Sequence, residues 1–250
     1  MIQKNDYSNK NNSKLLFYSN PLDIEFLTNL IVNSSSKFGL DNTFIVFESI
    51  NYVLYLIYAD ENKSIISYNI IDNCIANKIK NAHNRYITNF RHFLDKFNKR
   101  DLIISISYED NNIKLWNINN FECLLNIKDA NKSGELYSAC FLYENNQIYI
   151  ISSNNKNYSD DIQPTEPIRV FDLNGNKVKE IEDSDEDTFF IDSYYDNKLC
   201  KNFIIAGNIF NSKSYDFNEN KLYYNYSNYD IEYSYSIIIN ENEKIIKLIS

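Results

Sequence analysis

The sequence predicts an all-β protein assembled from repeated four-stranded antiparallel sheets. Three observations lead there. Tyr, Phe and Ile favour pleated, half-buried surfaces, and they are abundant in a chain that is 44% apolar and 15% aromatic. Short apolar runs, separated by polar turns of Asn, Asp, Glu and Lys, recur in groups of four. No helical pattern stands between those runs, which argues against parallel strands alternating with helices.

Taken in order, residues 1–13 are polar and Asn-rich and predict a disordered tail. Residues 14–41 predict an N-terminal helix or extended segment. Asn20 caps, Pro21 takes the first helical position, and Asp23 and Glu25 fall in the first turn. Leu22, Phe26 and Leu30 form a stripe that Ser34-Ser35-Ser36 ends; an extra strand is the alternative reading. The repeated domain then occupies 42–250. Its first unit has strand-like runs at Thr43–Glu48, Val53–Ala59, Ser64–Ile70 and Cys74–Ile79. The second has Ile87–Phe93, Leu102–Tyr108, Ile113–Ile118 and Glu122–Ile127. The third has Leu136–Leu142, Ile148–Ser153, Ile168–Leu173 and Val178–Ile181. The fourth has Phe189–Tyr194, Phe203–Asn208, Lys213–Phe217 and Lys221–Tyr226. A fifth begins with Tyr235–Ile239 and Lys244–Ile249.

Each third run carries an aromatic near its end. These are Tyr68, Trp116, Phe171 and Tyr215, spaced 48, 55 and 44 residues apart. A single four-stranded sheet cannot cover both of its faces, so units of this period stack as blades. The expected architecture is a β-propeller of about four complete blades and part of a fifth, with a β-sandwich of hairpins as the alternative fold. Only four Gly are present, so Asn, which tolerates the left-handed region, is expected to make many of the turns. Heavy use of Asn, Ile, Lys, Tyr and Phe also suits an AT-rich coding sequence. The Asn174-Gly175 step suits a tight hairpin with positive φ.

The stretch Tyr108-Glu109-Asp110-Asn111-Asn112-Ile113-Lys114-Leu115-Trp116-Asn117 resembles the closing motif of a WD repeat, with Trp116-Asn117 in place of Trp-Asp. Asn81-Ala82-His83 resembles the family's Gly-His step. Phe171-Asp172 and Tyr215-Asp216 keep an aromatic followed by Asp, and Tyr68-Asn69 keeps less. The resemblance covers about residues 43–250. It implies that His83, Asp110 and Trp116 belong to a hydrogen-bonded cluster tying one blade together. The family's Ser on the second strand is not expected to align, because Ile106 takes its place between Ser105 and Ser107. WD propellers most often have seven blades, so the chain reads as a truncated or degenerate member with open blade edges that invite self-association.

The formal charge of −9 leaves no basic stripe to displace counterions from nucleic acid, and an acidic membrane surface would repel the chain. A basic protein or peptide is the expected partner. Cys74, Cys123, Cys140 and Cys200 show no CxxC pair, so they read as free thiols and give no zinc pattern. With a polar N-terminus and no long apolar run, the expected location is the cytoplasm.

Chemistry has little to work with. His83 beside Asp110 is better explained by the structural cluster, and His92 by a satisfied strand position. Hydrolase, phosphate-loop and dinucleotide motifs do not occur, and no cofactor is expected. Asp183-Ser184-Asp185-Glu186-Asp187 fails the calcium-loop pattern, because Thr188 and Tyr194 stand where Gly and Glu belong. By resemblance, that loop and the insertion Asn154–Pro167 emerge on one propeller face. There Tyr158, Asp160, Asp161, Glu166, Asp183, Asp185, Glu186 and Asp187 would gather at a rim suited to a basic peptide. The functional expectation is a non-catalytic protein-binding scaffold. A degenerate propeller without independent function and a propeller hydrolase are the alternatives.

Overall fold

The structure, a computed structural model, describes residues 44–130, 136–153, 166–182, 188–207 and 212–226, and the strand backbones of 233–240 and 243–249. The expected N-terminal tail and the helix or strand over 14–41 lie outside them. Among the described residues the protein is all-β. Among those residues no helix is long and apolar enough to cross a membrane.

Four antiparallel four-stranded sheets follow one another along the chain, each a simple meander. The first holds β1 (Phe44–Glu48), β2 (Leu54–Ala59), β3 (Ile65–Asn69) and β4 (Cys74–Ile79). The second holds β5 (Ile87–Asp95), β6 (Arg100–Ser107), β7 (Asn112–Asn117) and β8 (Glu122–Ile127). The third holds β9 (Ala139–Glu144), β10 (Gln147–Ser152), β11 (Ile168–Phe171) and β12 (Lys177–Ile181). The fourth holds β13 (Phe190–Asp196), β14 (Lys201–Gly207), β15 (Ser212–Asp216) and β16 (Lys221–Asn225). A fifth pair, β17 (Tyr233–Asn240) and β18 (Glu243–Ile249), forms a two-stranded sheet. One predicted strand starts late. Leu136 is buried, but its amide donates to the Tyr108 carbonyl at 3.4 Å instead of joining a ladder, and β9 begins only at Ala139.

Period-two alternation sends successive side chains of one strand to opposite neighbours. On β6, Leu102, Ile104 and Ile106 pack towards the third sheet with Phe141, Ile150 and Phe171. Ile103, between them, faces the first sheet with Phe47, Ile57 and Trp116. The third sheet repeats the arrangement, with Cys140, Leu142 and Val170 against Ile191, Ile204 and Tyr215 of the fourth. Burial on both faces is why β6 and β10 read as almost continuous apolar runs. The first strands β1, β5, β9 and β13 lie next to one another in that order, and the fourth strands are the most exposed. Among the described residues the array is not closed into a ring.

The turns show what the aromatic markers do. Every sheet has a β-bulge immediately before its marker, at Ser67/Tyr68, Leu115/Trp116, Val170/Phe171 and Ser214/Tyr215. The next residue then closes the hairpin with its side chain. Asn69 Oδ1 accepts the amides of Ile71 and Asp72, and Asn117 Oδ1 that of Asn119. Asp172 Oδ1 accepts from Asn174 and Asn176, and Asp216 Oδ1 from Asn218 and Glu219. An Asx turn needs only the shared side-chain oxygen, so Asn serves as well as Asp. Each hairpin then passes through a positive φ, at Asn73, Phe121, Gly175 and Asn220. Of the twelve non-Gly residues with positive φ among those described, six are Asn, which is how the chain turns with so few glycines.

Candidate functional site

Strands of a meander run alternately up and down. The turns joining first to second and third to fourth strands therefore share one end of the array. The second-to-third turns and the links between sheets share the other. These two ends, with the exposed fourth strands, are surfaces that packing between the sheets leaves free.

At the link end, Asn81 takes a left-handed turn, and buried Ala82 donates its amide to the Lys63 carbonyl at 2.9 Å. This delivers His83 to the core, where its Nε2 meets Ser105 Oγ at 2.7 Å. Trp116 Nε1 donates to the same oxygen at 2.8 Å. Ile103 is the register partner of Trp116, and Ser105, two residues on, points from the same face. The serine that a count along the strand placed at Ile106 is thus Ser105, and that expectation is corrected. Asp110 Oδ2 accepts the amides of Asn84 and Arg85 at 2.7 and 2.9 Å, fixing the turn that follows His83. Burial, and then the nearby Lys114 ammonium, push the imidazole pKa down to about 3 against the pull of Asp110. A neutral, enclosed ring of this kind is a structural joint.

His92, the second histidine, meets Asp101 Oδ1 at 2.8 Å and stacks on Phe47 of the first sheet, ring centroids 3.8 Å apart. Among the described residues no three His, Cys, Asp or Glu side chains gather as a metal site.

Of the expected acidic rim, Tyr158, Asp160, Asp161, Asp183, Asp185, Glu186 and Asp187 lie outside the described residues. Glu166 is described, and its carboxylate is bonded to the buried Arg169 guanidinium. Arg169 also donates to the Ala130 carbonyl at 2.8 Å and pairs with Glu180 at 3.4 Å. It matches Lys114, which donates to the Ala82 carbonyl at 2.5 Å; both cations stand two residues before an aromatic marker. Glu166 therefore neutralises a blade-linking cation.

The hairpin end holds a groove of about 590 Å³ between the second, third and fourth sheets. Phe97 and Asn98 of the β5–β6 turn and Tyr143 to Gln147 of the β9–β10 turn line it. Asp172 and Asn218, from two third-to-fourth hairpins, line it as well. Phe97 is 88% exposed and Tyr143 45%. Glu144 Oε1 accepts Asn218 Nδ2 at 2.6 Å, while Oε2 is buried without a hydrogen-bond partner. Lys179 also lines the groove, but its ammonium is bonded to the Phe217 carbonyl and lies 4.1 Å over the Phe217 ring. Burial holds that ammonium below the usual lysine range, against the pull of Glu144 and Asp216. Sequence reasoning missed this site, whose residues come from four separate hairpins.

Comparison with protein-family models and with curated proteins returned no match.

Proposed function

We propose that the chain is a WD-repeat-type β-propeller array that acts as a non-catalytic scaffold for other proteins, basic ones in particular. The bulge, aromatic and Asx turn repeated in all four sheets are the observation that carries this reading. The shared His83–Ser105–Trp116 joint supports it. Both histidines are engaged in hydrogen bonds within the array, while the loops of the two ends and the exposed fourth strands are open to partners. Asp160, Asp161, Asp183, Asp185, Glu186 and Asp187 would steer a basic segment by long-range attraction, which accelerates encounter more than it tightens binding.

The test is a binding screen of the immobilised full chain against short peptides graded from acidic to basic, at low and physiological salt. The reading expects basic peptides to bind, with affinity falling as salt rises. It also expects a variant with Asp160, Asp161, Asp183, Asp185, Glu186 and Asp187 changed to amides to associate more slowly. Binding indifferent to peptide charge, or turnover of a peptide or ester probe, would refute it.

A further inference from the structure

The sheets meet in series, and each turns the face that carries its aromatic marker towards the sheet before it. Trp116 meets the first sheet, Phe171 the second and Tyr215 the third. The matching face of the first sheet carries Tyr68, and no described sheet precedes it. That face is nonetheless closed. Leu56, Tyr58, Ile66, Tyr68 and Ile70 form a cluster of their own and are only 1–7% exposed. An apolar sheet face becomes that dry only when another element lies on it.

The cover is not another sheet of the series. In each later sheet one residue of the first strand reaches the first strand before it. His92 stacks on Phe47, Phe141 packs on Phe93 with ring centroids 5.4 Å apart, and Ser193 Oγ donates to the Phe141 carbonyl. All three stand opposite the ladder partner of their marker, and the first sheet has Val46 at that position, opposite Leu56. Val46 is 51% exposed, so no first strand lies against it. Polar ties are missing as well. Ile66 stands where Lys114 and Arg169 reach back to link carbonyls, and Tyr58 where Ser105 holds the joint. The cover is therefore apolar, lies over β2 and β3, and stops short of β1.

We propose that residues 14–41 form this cover, folding back as an apolar cap that ends the array at the first sheet. The segment runs directly into β1, an edge of the same sheet, and it holds Leu15, Leu16, Phe17, Leu22, Phe26 and Leu30. The tail and the loops outside the described residues are short or polar. The β17–β18 pair follows the fourth sheet, and as a fifth unit it would bring a first strand to Val46. Units that bury one another in series need such a cap, because the terminal face has no neighbour. The inference goes beyond the scaffold reading and does not depend on it; a capped face is withdrawn from any partner.

The test is paramagnetic broadening of amide resonances in the full chain. A nitroxide is attached through Val46→Cys, with the exposed Cys74, Cys123 and Cys200 replaced by Ser. Beyond the first two sheets, the expected result is broadening across residues 15–32 and none in β17–β18. A double variant, Phe26→Asp with Leu30→Asp, should relieve that broadening and lower the urea midpoint. It should also self-associate in light scattering, because it uncovers an apolar sheet face. Broadening concentrated in β17–β18 would mean a closing fifth unit. Broadening of 15–32 that appears only between labelled and unlabelled copies would mean a second chain. Either result overturns the proposal, as does a double variant that keeps the wild-type pattern and midpoint.

Discussion

Ser105 and Ser107 are both fully buried on β6, yet their replacement by Ala should have opposite consequences. Ser105 Oγ holds Trp116 Nε1 and His83 Nε2. Ser105→Ala leaves both groups in the core with no partner, and each orphaned group costs about 1–3 kcal/mol. The combined loss is about 2–6 kcal/mol, less whatever a trapped water restores. Ser107 Oγ has no hydrogen-bond partner, so Ser107→Ala removes a buried polar atom that satisfies nothing. Its effect should lie within about 0.5 kcal/mol of zero, or be stabilising. The assay is urea unfolding followed by the fluorescence of Trp116, the only tryptophan in the chain, with m compared across variants to confirm that the same surface unfolds. Equal midpoints for Ser105→Ala and Ser107→Ala would refute the claim that one serine organises the joint.

Three further outcomes follow from the same geometry. His83 has a folded pKa near 3, against about 6.5 unfolded, so the unfolded chain binds the extra proton and stability falls as pH drops from about 6.5 towards 3. The loss should reach about 2 kcal/mol by pH 5, and a His83→Asn variant should lack that slope in pH-dependent melting. Gly175 has φ +84°, and an added Cβ would stand 2.9 Å from Leu125 Cδ1 of the second sheet, so Gly175→Ala should cost about 1–2 kcal/mol in denaturant unfolding. Glu166→Gln removes one of two carboxylates from Arg169 and should cost about 1–2 kcal/mol while leaving basic-peptide binding unchanged in the charge-graded screen.

Much of this fold was legible because the inner strands are buried on both faces, so they appear as apolar runs broken by polar turns. Each run read from the sequence coincides with an observed strand to within a few residues. Leu136 misled because a buried linker residue looks like the start of a strand. The aromatic markers were visible, but not the bulge that precedes each one, which only ladder register defines. Ser105 was missed by counting along the strand; the two-residue alternation from Ile103, opposite Trp116, would have found it. The groove was harder to see, since Phe97, Glu144, Asp172 and Asn218 meet only when three sheets stack.

The central claim is that the sheets are blades turning about a common axis, and spin-label distances test it most directly. Labels placed on the exposed first hairpins pair Tyr52 with Phe97, Asn145 and Lys198 in turn, with the exposed Cys74, Cys123 and Cys200 replaced by Ser. A propeller predicts increments that shrink with each blade, because the labels sit on an arc. Equal increments would mean a straight stack of sheets and would contradict the account.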